Sequence, residues 1–131
     1  MATERPKRAL LVEKDSIESI TTEVILQHLG FQVQRAKQGM EGVIRATFDV
    51  PDLILMSIDM NCGDKPAIDA LRAQNQTANT WTIAIMEKTS QEFDEHVRAL
   101  GFDGHICRPV GLRDLEDAIH CLGQNRASPL R

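Results

Sequence analysis

Six polar side chains stand just beyond the ends of short apolar runs in this 131-residue chain: Glu13, Lys14, Ser57, Asp59, Glu87 and Arg108. Together they comprise a hydroxyl, three carboxylates and two cations. Nucleophilic chemistry at Ser57 needs a base, because a hydroxyl is neutral at working pH, and no histidine adjoins it in sequence. Magnesium chemistry needs hard oxygen ligands in near-octahedral geometry, and an ammonium at Lys14 opposes that. The same residues suit a different arrangement, in which Lys14 and Arg108 neutralise Glu13, Asp59 and Glu87 in a built-in ion-pair network.

These side chains can meet only if the elements before them are parallel strands. Pro51-Asp52 opens the run Leu53-Ile54-Leu55-Met56-Ser57, which reads as a strand buried on both faces, the centre of a parallel sheet. Ala9-Leu10-Leu11-Val12 is a second such strand and Thr82-Ile83-Ala84-Ile85-Met86 a third. Phe31-Gln32-Val33-Gln34 alternates as a half-buried edge strand does, and His105-Ile106-Cys107 is a brief strand before Arg108-Pro109.

Helical patterns fill the gaps. Asp15 and Glu18 have capping-box spacing, and Ile17, Ile20, Val24 and Ile25 then stripe one face, expected to be the inner one, until Gly30. Met40, Val43 and Ile44 are expected on the inner face of a helix over roughly Gly39 to Phe48. Pro66 opens a helix carrying Ala67, Ile68 and Leu71. Thr89 and Glu92 cap another, striped by Phe93, Val97 and Leu100 and stopped at Gly101. Leu112, Leu115, Ala118, Ile119 and Leu122 share one face of the last helix, expected to end at Gly123. Five strand and helix pairs in alternation predict an α/β fold, a doubly wound open parallel sheet with helices on both faces. Ligands and chemistry in such sheets sit beyond the carboxyl ends of the strands, where the six polar residues converge.

Composition narrows the functional classes. The length suits one domain, here 7–123, with 1–6 and 124–131 as flexible termini. The net charge of −4 gives no general reason to expect nucleic acid. The polar start lacks the apolar segment of a signal peptide or membrane anchor, so a cytoplasmic protein is expected. Cys62, Cys107 and Cys121 share no metal-type spacing and read as free thiols. No glycine-rich phosphate loop follows the first strand.

Taken together, Leu10-Leu11-Val12-Glu13, Pro51-Asp52-Leu53-Ile54-Leu55-Met56, Ile85-Met86 and Asp103-Gly104-His105-Ile106-Cys107-Arg108-Pro109 resemble the receiver domain of bacterial two-component response regulators, over about Lys7 to Gly123. The resemblance implies a flavodoxin-like sheet. It also implies a magnesium-binding acid pair after the first strand, a phosphorylated aspartate after the third, and a hydroxyl and a lysine that contact the phosphoryl group. In this chain Glu13 keeps one acid, Lys14 replaces the second, Ser57 takes the aspartate's place, Glu87 the hydroxyl's and Arg108 the lysine's. His105 falls at the family's aromatic switch position.

The expectation is therefore a pseudo-receiver: not an enzyme, without magnesium or another cofactor, acting through phosphorylation-independent contact with proteins. A histidine kinase or another signalling protein, or a second copy in a homodimer, is expected on the surface from about Ser90 to Gly123. Nucleic acid and membrane are not expected partners. Two alternatives stand beside this reading. Asp59 would accept phosphate in a phosphorelay, or Cys62 and Cys107 would form a redox-sensing thiol pair.

Overall fold

The computed structural model describes residues 7–58, 64–87 and 97–125, with backbone alone at 64, 65 and 123–125. Five strands, β1 (Lys7–Val12), β2 (Phe31–Ala36), β3 (Leu53–Ser57), β4 (Trp81–Met86) and β5 (Gly104–Cys107), form one sheet in the order β2-β1-β3-β4-β5. Every neighbouring pair is parallel, with Leu10 opposite Ile54 and Met56 opposite Ala84. The run opened by Pro51-Asp52 is thus the central strand, and all five of its residues are buried.

Continuous apolar runs are needed here because successive side chains point to opposite faces, and both faces are covered. Leu10, Val12, Ile54, Met56, Ala84 and Met86 form one core with α2 (Gly39–Phe48) and α3 (Asp64–Ala73). Ala9, Leu11, Leu53, Leu55, Ile83 and Ile85 form the other, with α1 (Ile17–His28) and the C-terminal helix (Leu112–Asn125). Phe31-Gln32-Val33-Gln34 lies in the edge strand, alternately buried and open, as its pattern predicts.

Two helices are turned from the face expected: Ile25 packs against the core and Val43 is buried as read, but the other large apolar residues of each stripe face outward. In α1, Ile17, Ile20 and Val24 are exposed, while Ser19, Thr22 and Leu26 are buried. In α2, Met40, Ile44 and Phe48 are exposed, while Gly39, Gly42, Val43 and Ala46 are buried. The reason in α2 is close approach: a Cβ on Gly42 would lie 2.6 Å from Val12 Cγ2. Small residues let the helix axis come near the sheet, and the large ones are left outside.

All strands but β3 run one or two residues beyond the expected runs, and helix ends differ in three places. The cap of α1 is Ser16 rather than Asp15: its Oγ accepts from Ser19 N (3.0 Å), and Ser19 Oγ accepts from Ser16 N (2.9 Å). Asp15 pairs instead with Arg35 and Lys37. Helix α3 begins at Asp64, so Pro66 lies inside its first turn, where a missing N–H costs nothing. The C-terminal helix runs through Gly123 to Asn125. Gly30 and Gly101 end their segments at φ 99° and 116°, in the left-handed region glycine tolerates. The expected cap at Thr89 and Glu92, and Phe93, lie outside the described residues. No helix among the described residues is long and apolar enough to cross a membrane.

Candidate functional site

The site grows from the carboxyl ends of β1, β3, β4 and β5. Backbone hydrogen bonds carry the sheet one residue further: Glu13 N donates to Ala36 O (2.9 Å), Ile58 N to Ile85 O (3.2 Å) and Arg108 N to Met86 O (2.8 Å). These bonds fix where Glu13 and Arg108 leave the sheet, so both side chains reach one rim with Ser57.

Arg108 is the hub. Its side chain is only 10% exposed, and its Nη2 donates to Glu13 Oε2 (2.6 Å) and to Ser57 Oγ (2.9 Å). The first contact joins residues from opposite ends of the chain, and both partners are buried. Two looser ion pairs surround it: Arg108 Nε with Glu18 Oε1 at 3.4 Å and Arg108 Nη1 with Glu87 Oε2 at 3.7 Å. Glu18 and Glu87 are mostly exposed, so water and salt screen them, whereas the Glu13 pair is sheltered. Glu13 Oε1 is buried and has no hydrogen-bond partner among the described residues. A sheltered carboxylate with one oxygen unpaired depends heavily on the guanidinium at its other oxygen.

The guanidinium floors a cleft of about 250 Å³, walled by Glu13, Ser57 and Glu87 and by Lys14, Asp15, Ser16 and Glu18 after β1. Behind it, Ile17, Thr21, Pro109 and Val110 enclose a smaller apolar cavity of about 80 Å³ against the same arginine. The peptide bond between Arg108 and Pro109 is cis.

The expected ion-pair network is therefore present with altered membership. Glu13, Ser57, Glu87 and Arg108 come together as read from strand order. Lys14 does not join: it is exposed, at the cleft wall, and makes no ion pair among the described residues. Asp59 and Cys62 lie outside the described residues, as does Ser90. His105 is half-buried on β5, and Cys107 and Cys121 are free thiols. Glu18 was missed because its spacing from Asp15 mimics a capping box. The available signal was its place in the first turn of the helix after β1, directly over the rim.

No family model matches the chain. Among curated relatives, the cell cycle transcriptional regulator CtrA of Caulobacter vibrioides is 32% identical over 117 residues, 88% of this chain and 49% of that protein. The transcriptional regulatory protein PrrA of Mycobacterium tuberculosis is 31% identical over 124 residues, 92% of this chain and 52% of that protein. The chain thus spans about half the length of these relatives. Among solved structures, a chemotaxis response regulator of Vibrio cholerae is 27% identical with a TM-score of 0.76, covering 88% of this chain and 98% of that one. The receiver domain of a sensor histidine kinase from Pseudomonas aeruginosa, with a magnesium ion coordinated in its active-site cleft, has a TM-score of 0.79 at 23% identity, covering 95% and 100%. The relatives and neighbours are response regulators and receiver domains, and this chain has their flavodoxin-like fold.

Proposed function

We propose that this chain of receiver fold is a signalling module that works by protein–protein contact and takes no phosphoryl group at Ser57. The observation that carries this reading is Arg108 Nη2 lying between Glu13 and Ser57, at 2.6 and 2.9 Å. In the receiver chemistry that the sequence resembles, an ionised aspartate attacks phosphorus while a metal neutralises the incoming oxygens. Here a neutral hydroxyl stands at that strand end, and a fixed organic cation already neutralises the acid beside it.

Magnesium fits this donor set poorly. Among the described residues no group of three or more histidine, cysteine or acidic side chains is placed to hold a metal. Arg108 Nη2 bridges Glu13 Oε2 and Ser57 Oγ, and a divalent cation there would meet a guanidinium. We assign Ser57 to the phosphoacceptor position, Glu87 and His105 to the switch positions and Arg108 to the lysine position, with Glu13, Lys14 and Asp59 as the altered acidic pocket. No catalytic turnover and no cofactor belong to this reading. The partner is a histidine kinase or another signalling protein, docking between about Ser90 and Gly123, of which residues 97–123 are described. Leu112 is exposed on that surface and supplies apolar contact area.

Intact-mass measurement after incubation with magnesium and acetyl phosphate tests the reading. The expected result is an unchanged mass, and a stoichiometric phosphoryl adduct overturns it. If that adduct disappears in Asp59→Asn, the chain is a phosphorelay acceptor at Asp59. The combined variant Lys14→Asp, Ser57→Asp, Glu87→Thr and Arg108→Lys is expected to gain the adduct, which separates a changed pocket from an inert donor.

A further inference from the structure

The outward face of α2 has no role in the pocket, yet it carries a row of large apolar side chains. Met40, Ile44 and Phe48 are 48%, 57% and 85% exposed. At about 100° per residue, Met40 and Phe48 fall roughly 40° to either side of Ile44, so the three make one straight stripe. Along one flank of the stripe run Glu41 and Arg45, and between that flank and β2 lies an open groove of about 440 Å³ reaching Gln34 and Asp49.

The charges on the flank select the occupant. If two copies of α2 pack antiparallel about a two-fold axis at Ile44, Met40 of one copy meets the partner's Phe48. The same flank then faces the same flank. Glu41 lies about 4.5 Å before Ile44 along the axis and about 60° round from it, and Arg45 about 1.5 Å after it and about 100° round. Reversal therefore brings each Arg45 beside the partner's Glu41 while the two Arg45 side chains splay apart. The stripe and its charges are thus self-complementary, the property an isologous interface requires. Glu41 is suited to the part, because the backbone N–H of Lys37 donates to it (2.8 Å) and holds its carboxyl below the ordinary value. Its pairing with Arg45 in its own helix, at 3.5 Å, fixes the two side chains side by side.

We propose that α2 is a homodimer interface, in which a second copy of this chain covers Met40, Ile44 and Phe48 in an antiparallel two-fold contact. The interface lies away from the Arg108 pocket and does not depend on whether that pocket accepts a phosphoryl group.

Sedimentation velocity of the full chain across a concentration series tests it. The wild type is expected to pass from monomer to dimer, and Ile44→Glu and Phe48→Asp each to weaken the dimer about tenfold or more. Glu41→Arg and Arg45→Glu are each expected to weaken it, while an equimolar mixture of the two restores it as a heterodimer. Only a contact between copies can produce that rescue, since neither variant regains the pair within its own helix. All four positions are exposed or on the exposed flank, and unchanged circular dichroism verifies the fold. A wild type that stays monomeric throughout overturns the proposal, as does a dimer that none of the four substitutions weakens. Unlike the phosphodonor experiment, these measurements leave the pocket untouched, so either reading can fail alone.

Discussion

A single guanidinium sets the character of the pocket. Arg108 donates to a buried carboxylate and a buried hydroxyl, and among the described residues Glu13 has one oxygen without a hydrogen bond. Removing one member of a sheltered ion pair leaves an uncompensated charge, whereas removing both leaves none. Arg108→Met is therefore expected to lower stability by about 3 kcal/mol, because it strands Glu13. The double variant with Glu13→Met is expected to cost less than Arg108→Met alone. Urea unfolding of the two singles and the double closes the cycle. Additive losses would show that the pair is not coupled, and the pocket would then lose its organising contact. Arg108→Lys is not conservative here, since a lysine has no planar fork with which to span Glu13, Ser57 and the outer carboxylates at once.

At the scale of elements, the instructive features are the two helices whose apolar stripes face outward. In α1, the exposed set Ile17, Ile20 and Val24 and the buried set Ser19, Thr22 and Leu26 share the same three-and-four spacing. Periodicity therefore identifies a helix in both cases but leaves the phase undecided. The phase follows from close packing and hydrogen bonding: Arg35 donates to the buried Ser19 Oγ (2.6 Å), and small residues let α2 approach β1. Gly42→Ala tests this directly. Alanine improves helix propensity by about 1 kcal/mol, but its Cβ would press on Val12, which is fully buried and stiff at χ1. The steric term should win, with a net loss of about 1–2 kcal/mol in thermal or urea unfolding. Val12→Ala should relieve part of that loss when combined with it, and a Gly42→Ala protein as stable as wild type would mean that α2 has room to move.

Across the whole molecule, Arg72 ties segments that the sheet alone does not. From α3 it donates to Gly101 O through Nε (3.0 Å) and Nη2 (2.8 Å), to Ala78 O (3.2 Å) and Thr80 O (2.9 Å), and to Asp103 Oδ2 (3.0 Å). Asp103 Oδ2 in turn accepts from Thr82 N (2.9 Å). One side chain thus joins α3, the turn into β4 and the lead-in to β5. Arg72→Met should cost about 3 kcal/mol, since three part-buried carbonyls and a carboxylate lose a charged donor together. Faster amide exchange at Thr82 should accompany the loss, and unchanged exchange there would show that Asp103 holds β4 without Arg72. On the opposite side, Arg8 performs a similar task at the start of β1, pairing with Asp49 and donating to Val50 O (2.8 Å).

The sequence by itself determined the alternation of strands and helices, the central place of Leu53 to Ser57 and the rim on which Glu13, Ser57, Glu87 and Arg108 meet. Those features follow from local rules: the length of apolar runs, turn residues and the two-residue period of a strand. Tertiary structure alone decided which face of α1 and α2 lies inside, because two stripes with one period differ only in what they can pack against. It also decided that Arg108 takes Glu13 and Ser57, that Glu18 joins while Lys14 lines the cleft without an ion pair among the described residues, and that Ser16 rather than Asp15 caps α1. A side chain's partners depend on distances between segments far apart in the chain, and spacing along the sequence does not encode them.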